Sequence, residues 1–276
     1  MWVPATLLLF AIDAALVGWI GWRKSPGPPD PLFDIPKLST SLAGIVGTLS
    51  GFTIASAIFL ANLDAFRESP SFEAVMGLFL IAFQILIATA IMFALVPGRT
   101  SGAALDGSAV LAQRVLYTLS STGFYLGLSL SWLGLVPLLH GLELELLARL
   151  FSGLLLLALL AGASNLTMSL HINLGSHPAV GLMIPPLAFL SAGLLRLLGA
   201  TAAPAVWPVS NGPLIFGVVG YVLAAAGFSV QTAIVASFGR PAAQTFLRAS
   251  GHRLLIVFEQ LTVTAVALTW LSVVFP

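Results

Sequence analysis

The sequence has no cysteine among its 276 residues, which excludes disulfides, thiolate metal sites, iron–sulfur clusters and a cysteine nucleophile together. Charge is nearly as scarce. Eleven basic and ten acidic residues make up 8% of the chain, roughly a third of the share usual in a soluble domain. The net charge of +1 leaves no basic stripe able to release counterions from phosphate, so no nucleic-acid partner is expected. Lys24 and Lys37 are the only lysines and share one connection, which excludes a retinal-type Schiff base inside a bundle. The four histidines do not converge. His140 lies at one end of a span and His171 and His177 at the other end of the next, roughly 45 Å away along about 30 helical residues, and His252 sits in a separate loop. There is no phosphate-binding glycine loop, no Gly-x-Ser-x-Gly elbow, no Asp-rich pair and no His-Glu-x-x-His. The chain is therefore read as not an enzyme, with no catalytic residue, cofactor or metal. An enzyme acting on lipid or quinone would need a cofactor that the sequence does not provide.

Apolar residues, by contrast, form 58% of the chain, and the mean hydropathy is +1.04. Those figures describe an all-α polytopic membrane protein. Eight stretches are long enough to cross about 30 Å of hydrocarbon: Trp2–Trp22, Ser41–Leu63, Ala74–Pro97, Leu111–Leu139, Leu147–Leu170, Ala179–Leu198, Pro213–Phe238 and Leu254–Phe275. The connections are short and rich in Pro, Gly, Ser and Arg, so residues 1–276 read as a single transmembrane domain. No basic residue precedes the first span and no small-x-small cleavage site closes it, so it reads as a retained span rather than a signal peptide.

Orientation follows from the arginines and lysines near the span ends. The odd-numbered connections hold Arg23, Lys24, Lys37, Arg99, Arg114, Arg240, Arg248 and Arg253, and the even-numbered ones hold Arg67, Arg149 and Arg196. That imbalance puts the odd connections in the cytoplasm and both termini outside. The Asn165 sequon then falls inside a span, out of reach of glycosylation. The excess of Leu, Ala and Gly with so little Lys points to a GC-rich bacterium, hence to the inner (plasma) membrane.

An internal repeat fixes the architecture further. Ile81–Ile91 aligns without a gap on Ile256–Val266, with identity at five of the eleven positions, and Gly51–Ile58 aligns on Gly227–Ile234 at an offset one residue different. Pro4, Ala5, Leu8, Ala14 and Leu16 match Pro178, Ala179, Leu182, Ala188 and Leu190. Spans one to three thus recur five spans later. Five is odd, so the copies are inverted: repeat A covers residues 1–97, two central helices lie within 98–175, and repeat B covers 176–276. Inverted repeats around a midplane site imply a transporter or channel for a small solute or ion.

The polar residues inside the spans locate the expected site. An ionisable group at mid-span costs roughly 2.5 to 3.5 kcal/mol on insertion scales, so Asp13 and Glu259 both need a reason to be there. Gln84 occupies the repeat position of Glu259, which predicts a shared polar cavity. Pro185 and Pro186 lack amide hydrogens and would free the carbonyls of Gly181 and Leu182 within the membrane, opposite Asp13 on the other repeat. Thr53 and Ser56, with Ser229, Gln231 and Thr232 at the paired positions, would complete an oxygen-lined site for a proton, a hard cation or a polar solute. If transport is coupled, protons are the expected currency, taken up by Asp13 or Glu259 in a dry site and released in a wet one. Ser120, Ser121, Thr122, Ser129 and Ser131 make the fourth span polar enough to line a water path.

Gly44, Gly47, Gly51 and Ala55 form a small-residue stripe at which another helix can approach closely, from within the chain or from a second copy. That stripe also suits the alternative reading, a non-transporting structural or assembly subunit of a larger membrane complex. In architecture alone, eight spans in a three-two-three arrangement with both termini outside resemble the zinc–iron permease family. That family's His-Asn-x-Pro-Glu-Gly and His-x-x-Pro-Glu motifs have no counterpart here: Leu111–Leu139 holds no His or Glu and Leu147–Leu170 no Pro, so no metal ligand carries over.

Overall fold

In the computed structural model, the residues described are 12, 15, 16, 19, 34–98, 107–174, 183–192, 194, 212–236 and 252–274. Among them are seven helices: α1 (Ile35–Ala61), α2 (Asp64–Arg67), α3 (Phe72–Gly98), α4 (Gly107–Gly141), α5 (Glu145–Leu174), α6 (Gly212–Ala236) and α7 (His252–Val274). A shorter apolar helical run spans Met183–Ala192. The described residues contain no strand. Five helical segments are long and apolar enough to cross a membrane: Ile35–Ala61, Phe72–Val96, Ala112–Gly141, Glu145–Thr167 and Arg253–Val273. The first expected span, apart from four isolated residues, lies outside the described residues, as do both ends of the sixth.

Local chemistry sets the ends of these helices. α1 starts six residues ahead of the expected Ser41 because Asp34 caps it, its carboxylate accepting from the Lys37 amide at 3.1 Å, and Pro36 fits the first turn, where no amide hydrogen is needed. An apolar count misses such polar caps. α4 ends in a tight corner: the Leu144 amide donates to the Leu139 carbonyl at 2.9 Å across Glu143, whose φ of 59° is left-handed. His140 Nδ1 and Glu145 Oε1, 3.1 Å apart, tie the end of α4 to the start of α5.

α4 is the hub of the bundle, packing on α1, α3, α5, α6 and α7. α7 lies against α4, α5 and α6. The apolar windows of α4 and α7 are each 67% buried, whereas that of α1 is 22% buried. Two helices thus form the interior and the others surround them. Leu78, Leu86, Leu126, Leu130, Leu159, Val263 and Val266 belong to one continuous core.

α6 meets its neighbours through small residues. A methyl group on Gly217 would fall 2.9 Å from Leu78, one on Gly220 3.2 Å from Leu126, and one on Gly227 2.5 Å from Phe258. With Ala224 between them, they form a close-approach face against α3, α4 and α7. The stripe singled out on α1 does not pack this way: around Gly44, Gly47 and Gly51 the space is open.

The outer surface is apolar. Phe52, Phe59, Leu154, Leu157 and Val222 are each 60% to 66% exposed. A surface of that kind is stable in hydrocarbon and a liability in water. It fits a multi-pass membrane protein.

Two of the three matched pairs of repeat segments are described and are helical, Gly51–Ile58 in α1 with Gly227–Ile234 in α6 and Ile81–Ile91 in α3 with Ile256–Val266 in α7, while the match of Pro4 to Leu16 with Pro178 to Leu190 lies mostly outside the described residues. Within each copy the two helices pack on one another, α1 on α3 and α6 on α7.

Candidate functional site

Glu259 is the residue about which a site can be built. It lies six residues past Arg253 in α7, about 9 Å along the helix, and it is 0% exposed. Neither carboxyl oxygen has a hydrogen-bond partner among the described residues. A carboxyl buried without donors is the costliest kind of polar group a core can hold, so its presence calls for a function or a bound species.

Its own helix carries further buried polar groups. Gln260, Thr262 and Thr264 are also 0% exposed. Gln260 Nε2 donates to Thr264 Oγ1 at 3.5 Å, and the hydroxyls of Thr264 and Thr262 donate back to the Gln260 and Phe258 carbonyls at 2.9 and 2.8 Å. α4 contributes Tyr125, within electrostatic range of Glu259, whose hydroxyl donates to the Leu159 carbonyl of α5 at 3.2 Å. Gly162 allows this, because its missing side chain leaves room for the Tyr125 ring, 2.7 Å from where a methyl carbon would sit. Tyr125 is thus held where α4 and α5 meet, within electrostatic range of Glu259 on α7.

A crevice of about 10 Å³ lies between α4, α6 and α7, lined by Thr122, Gly123, Gly227, Phe228, Phe258 and Thr262 among others, without Glu259. Its accessible lining is apolar, the Thr122 and Thr262 hydroxyls being turned back to their own helix carbonyls, so it is a dry gap in the packing. Thr89 of α3 points at the same place: its hydroxyl lies 2.6 Å from the methyl position of Gly123, is fully buried, and has no hydrogen-bond partner among the described residues. Sequence reasoning missed Thr89, Tyr125 and Gln260. A signal for Thr89 was available, since it is one of the identical repeat positions, paired with Thr264.

The other expected residues are placed as follows. Gln84 is exposed on the outer face of α3, so the structure does not bring it into one cavity with the buried Glu259. Equivalence in the repeat fails to translate into a shared environment because α7 is interior and α3 has an outer face. Thr53 is buried, donates to the Leu49 carbonyl at 2.8 Å, and stands 3.4 Å from Ser131 Oγ at the contact of α1 with α4. Ser56 is exposed and bonds back to Phe52. Ser229 and Thr232 are exposed and bond back to Ala225 and Phe228. Gln231 is helical, and its side chain lies outside what is described. Pro185 is buried and Pro186 exposed, both within the helical run Met183–Ala192. Asp13, Gly181 and Leu182 lie outside the described residues.

The hydroxyls of α4 are mostly committed to their own helix: those of Thr118, Ser120, Ser121, Thr122 and Ser131 donate to carbonyls four residues earlier, at 2.9 to 3.0 Å. Among the described residues, no three of His, Asp and Glu gather closely enough to hold a metal. Compared with known proteins, the chain matches no family model, no curated protein and no solved structure.

Proposed function

We propose that the chain is an eight-span transporter or channel with inverted three-helix repeats, both termini outside, moving a small solute or ion; if it is a coupled transporter, protons are the currency. Glu259 is its working group. The observation that carries this reading is a carboxyl fully buried on the interior helix α7, with neither oxygen paired among the described residues. A lone charge in such surroundings is far costlier than the neutral acid, so the closed arrangement suits a protonated Glu259. A rearrangement of the bundle that admits water to Glu259 would let the proton leave. Asp13 and the carbonyls ahead of Pro185 and Pro186 are assigned to the same pathway on the sequence pattern alone. The packing of α1 on α3 and of α6 on α7 supports the duplicated plan.

The test is proton flux into liposomes containing the purified protein, driven by an imposed potential and read with an internal pH dye. Glu259→Gln should abolish the protein-dependent flux while the protein remains folded, and Asp13→Asn should reduce it. Wild-type flux in both variants, or none in the wild type, overturns the reading.

A second reading is a structural or assembly subunit without transport, favoured by one observation: the open small-residue face at Gly44, Gly47 and Gly51 on the least buried of the spanning helices. Co-purification of a stoichiometric partner, lost on Gly47→Leu, would support it.

A further inference from the structure

Gln84 sits at the centre of the Phe72–Val96 span, with twelve residues on either side. It is exposed and makes no hydrogen bond to any described residue. Its neighbours along the outer face of α3 are Leu80, Ile87 and Ile91, exposed by 42%, 39% and 54%. A primary amide offers two donors and an acceptor, and lipid tails can satisfy neither kind. Whatever covers this face must therefore bring a donor and an acceptor to the middle of the bilayer.

We infer that a second copy of this chain docks on the outer face of α3, the two Gln84 amides hydrogen-bonded to each other across a twofold axis along the membrane normal. Copies inserted in the same orientation hold Gln84 at the same depth, and rotation about the normal preserves that depth, so like meets like. Each amide then donates to the other's carbonyl, the self-complementarity that a twofold interface requires. The positions 80, 84, 87 and 91 advance by four, three and four, the spacing of a seam between two helices that cross at a shallow left-handed angle. Leu80, Ile87 and Ile91 pack above and below, and the single polar pair fixes the register. The inference rests on α3 spanning the bilayer and is independent of transport.

The absence of cysteine makes the test clean. Single variants Gln84→Cys and Ile87→Cys, oxidised with iodine in native-like membranes, should run at twice the 28.8 kDa of the chain. Leu157→Cys, near the middle of α5 and 65% exposed to the lipid side, should stay monomeric. Fluorescence transfer between labelled copies in lipid should show Gln84→Leu weakening the dimer about tenfold, the effect of two interhelical hydrogen bonds, with Gln84→Asn losing less. Because Gln84 is exposed, none of these changes disturbs the core. A monomeric Gln84→Cys overturns the inference, as does cross-linking of Leu157→Cys to the same extent or an unchanged dimer in Gln84→Leu. A dimer captured by Gly51→Cys and not by Gln84→Cys also overturns it, because the seam would then be α1.

Discussion

Tyr125 ties α4 to α5 through one side chain. Rooted in α4, it reaches across to donate to the Leu159 carbonyl of α5, its ring fills the space left by Gly162, and it stands near Glu259 of α7. Removing the hydroxyl, which bonds both the Leu159 carbonyl and the Ser129 side chain, with Tyr125→Phe should cost about 1 kcal/mol net. Gly162→Ala should cost more, about 1 to 3 kcal/mol, because the added methyl would lie 2.7 Å from a ring whose far end is pinned. Thermal unfolding in detergent checks both: Gly162→Ala should melt below Tyr125→Phe, and the reverse order would mean that the ring yields freely. The sequence marked Glu259 because a lone acid in an apolar span stands out. It could not mark Glu259 as unpartnered, since that depends on which side chains face it from α4 and α5. The same gap explains Gln84, equivalent to Glu259 in repeat position and opposite to it in exposure.

At the scale of the elements, the long apolar stretches gave away most of the helices. Five of them stand as helices able to span a membrane, with ends shifted where a polar cap decides, as at Asp34. Which helix is interior was not legible. α3 has the highest hydropathy of the five spanning segments, yet it is α4 and α7, both less apolar, that are most buried. In lipid, hydropathy no longer separates inside from outside, and polar residues are what a bundle turns inward. The hydroxyl-rich α4 invited a pore reading, but most of its described hydroxyls bond back to their own backbone, a choice made by local geometry that composition does not express. The α4–α5 corner carries a prediction of its own. Glu143 adopts a left-handed φ of 59°, where a side chain costs roughly 1 to 2 kcal/mol. Part of the relief given by Glu143→Gly is offset by the freer unfolded chain, leaving a net gain of up to about 1 kcal/mol. A raised unfolding midpoint is expected, and a lowered one would mean that the Glu143 side chain contributes more than its backbone costs.

For the whole molecule, an apolar exterior encloses a core that carries one fully buried, unpartnered acid among the described residues. The proposed working cycle needs that acid to exchange its proton with one side of the membrane and then the other. A carboxyl buried only for packing would never do so. Infrared difference spectra across a pH step, recorded on the protein in lipid for wild type and for Glu259→Gln, separate the two cases. The expected result is a protonated-carboxyl C=O band that appears and fades with pH, shifts in heavy water and is missing from the variant. A Glu259 band that stays constant at every pH and never shifts in heavy water would contradict the proposal, as would the absence of any band that depends on Glu259.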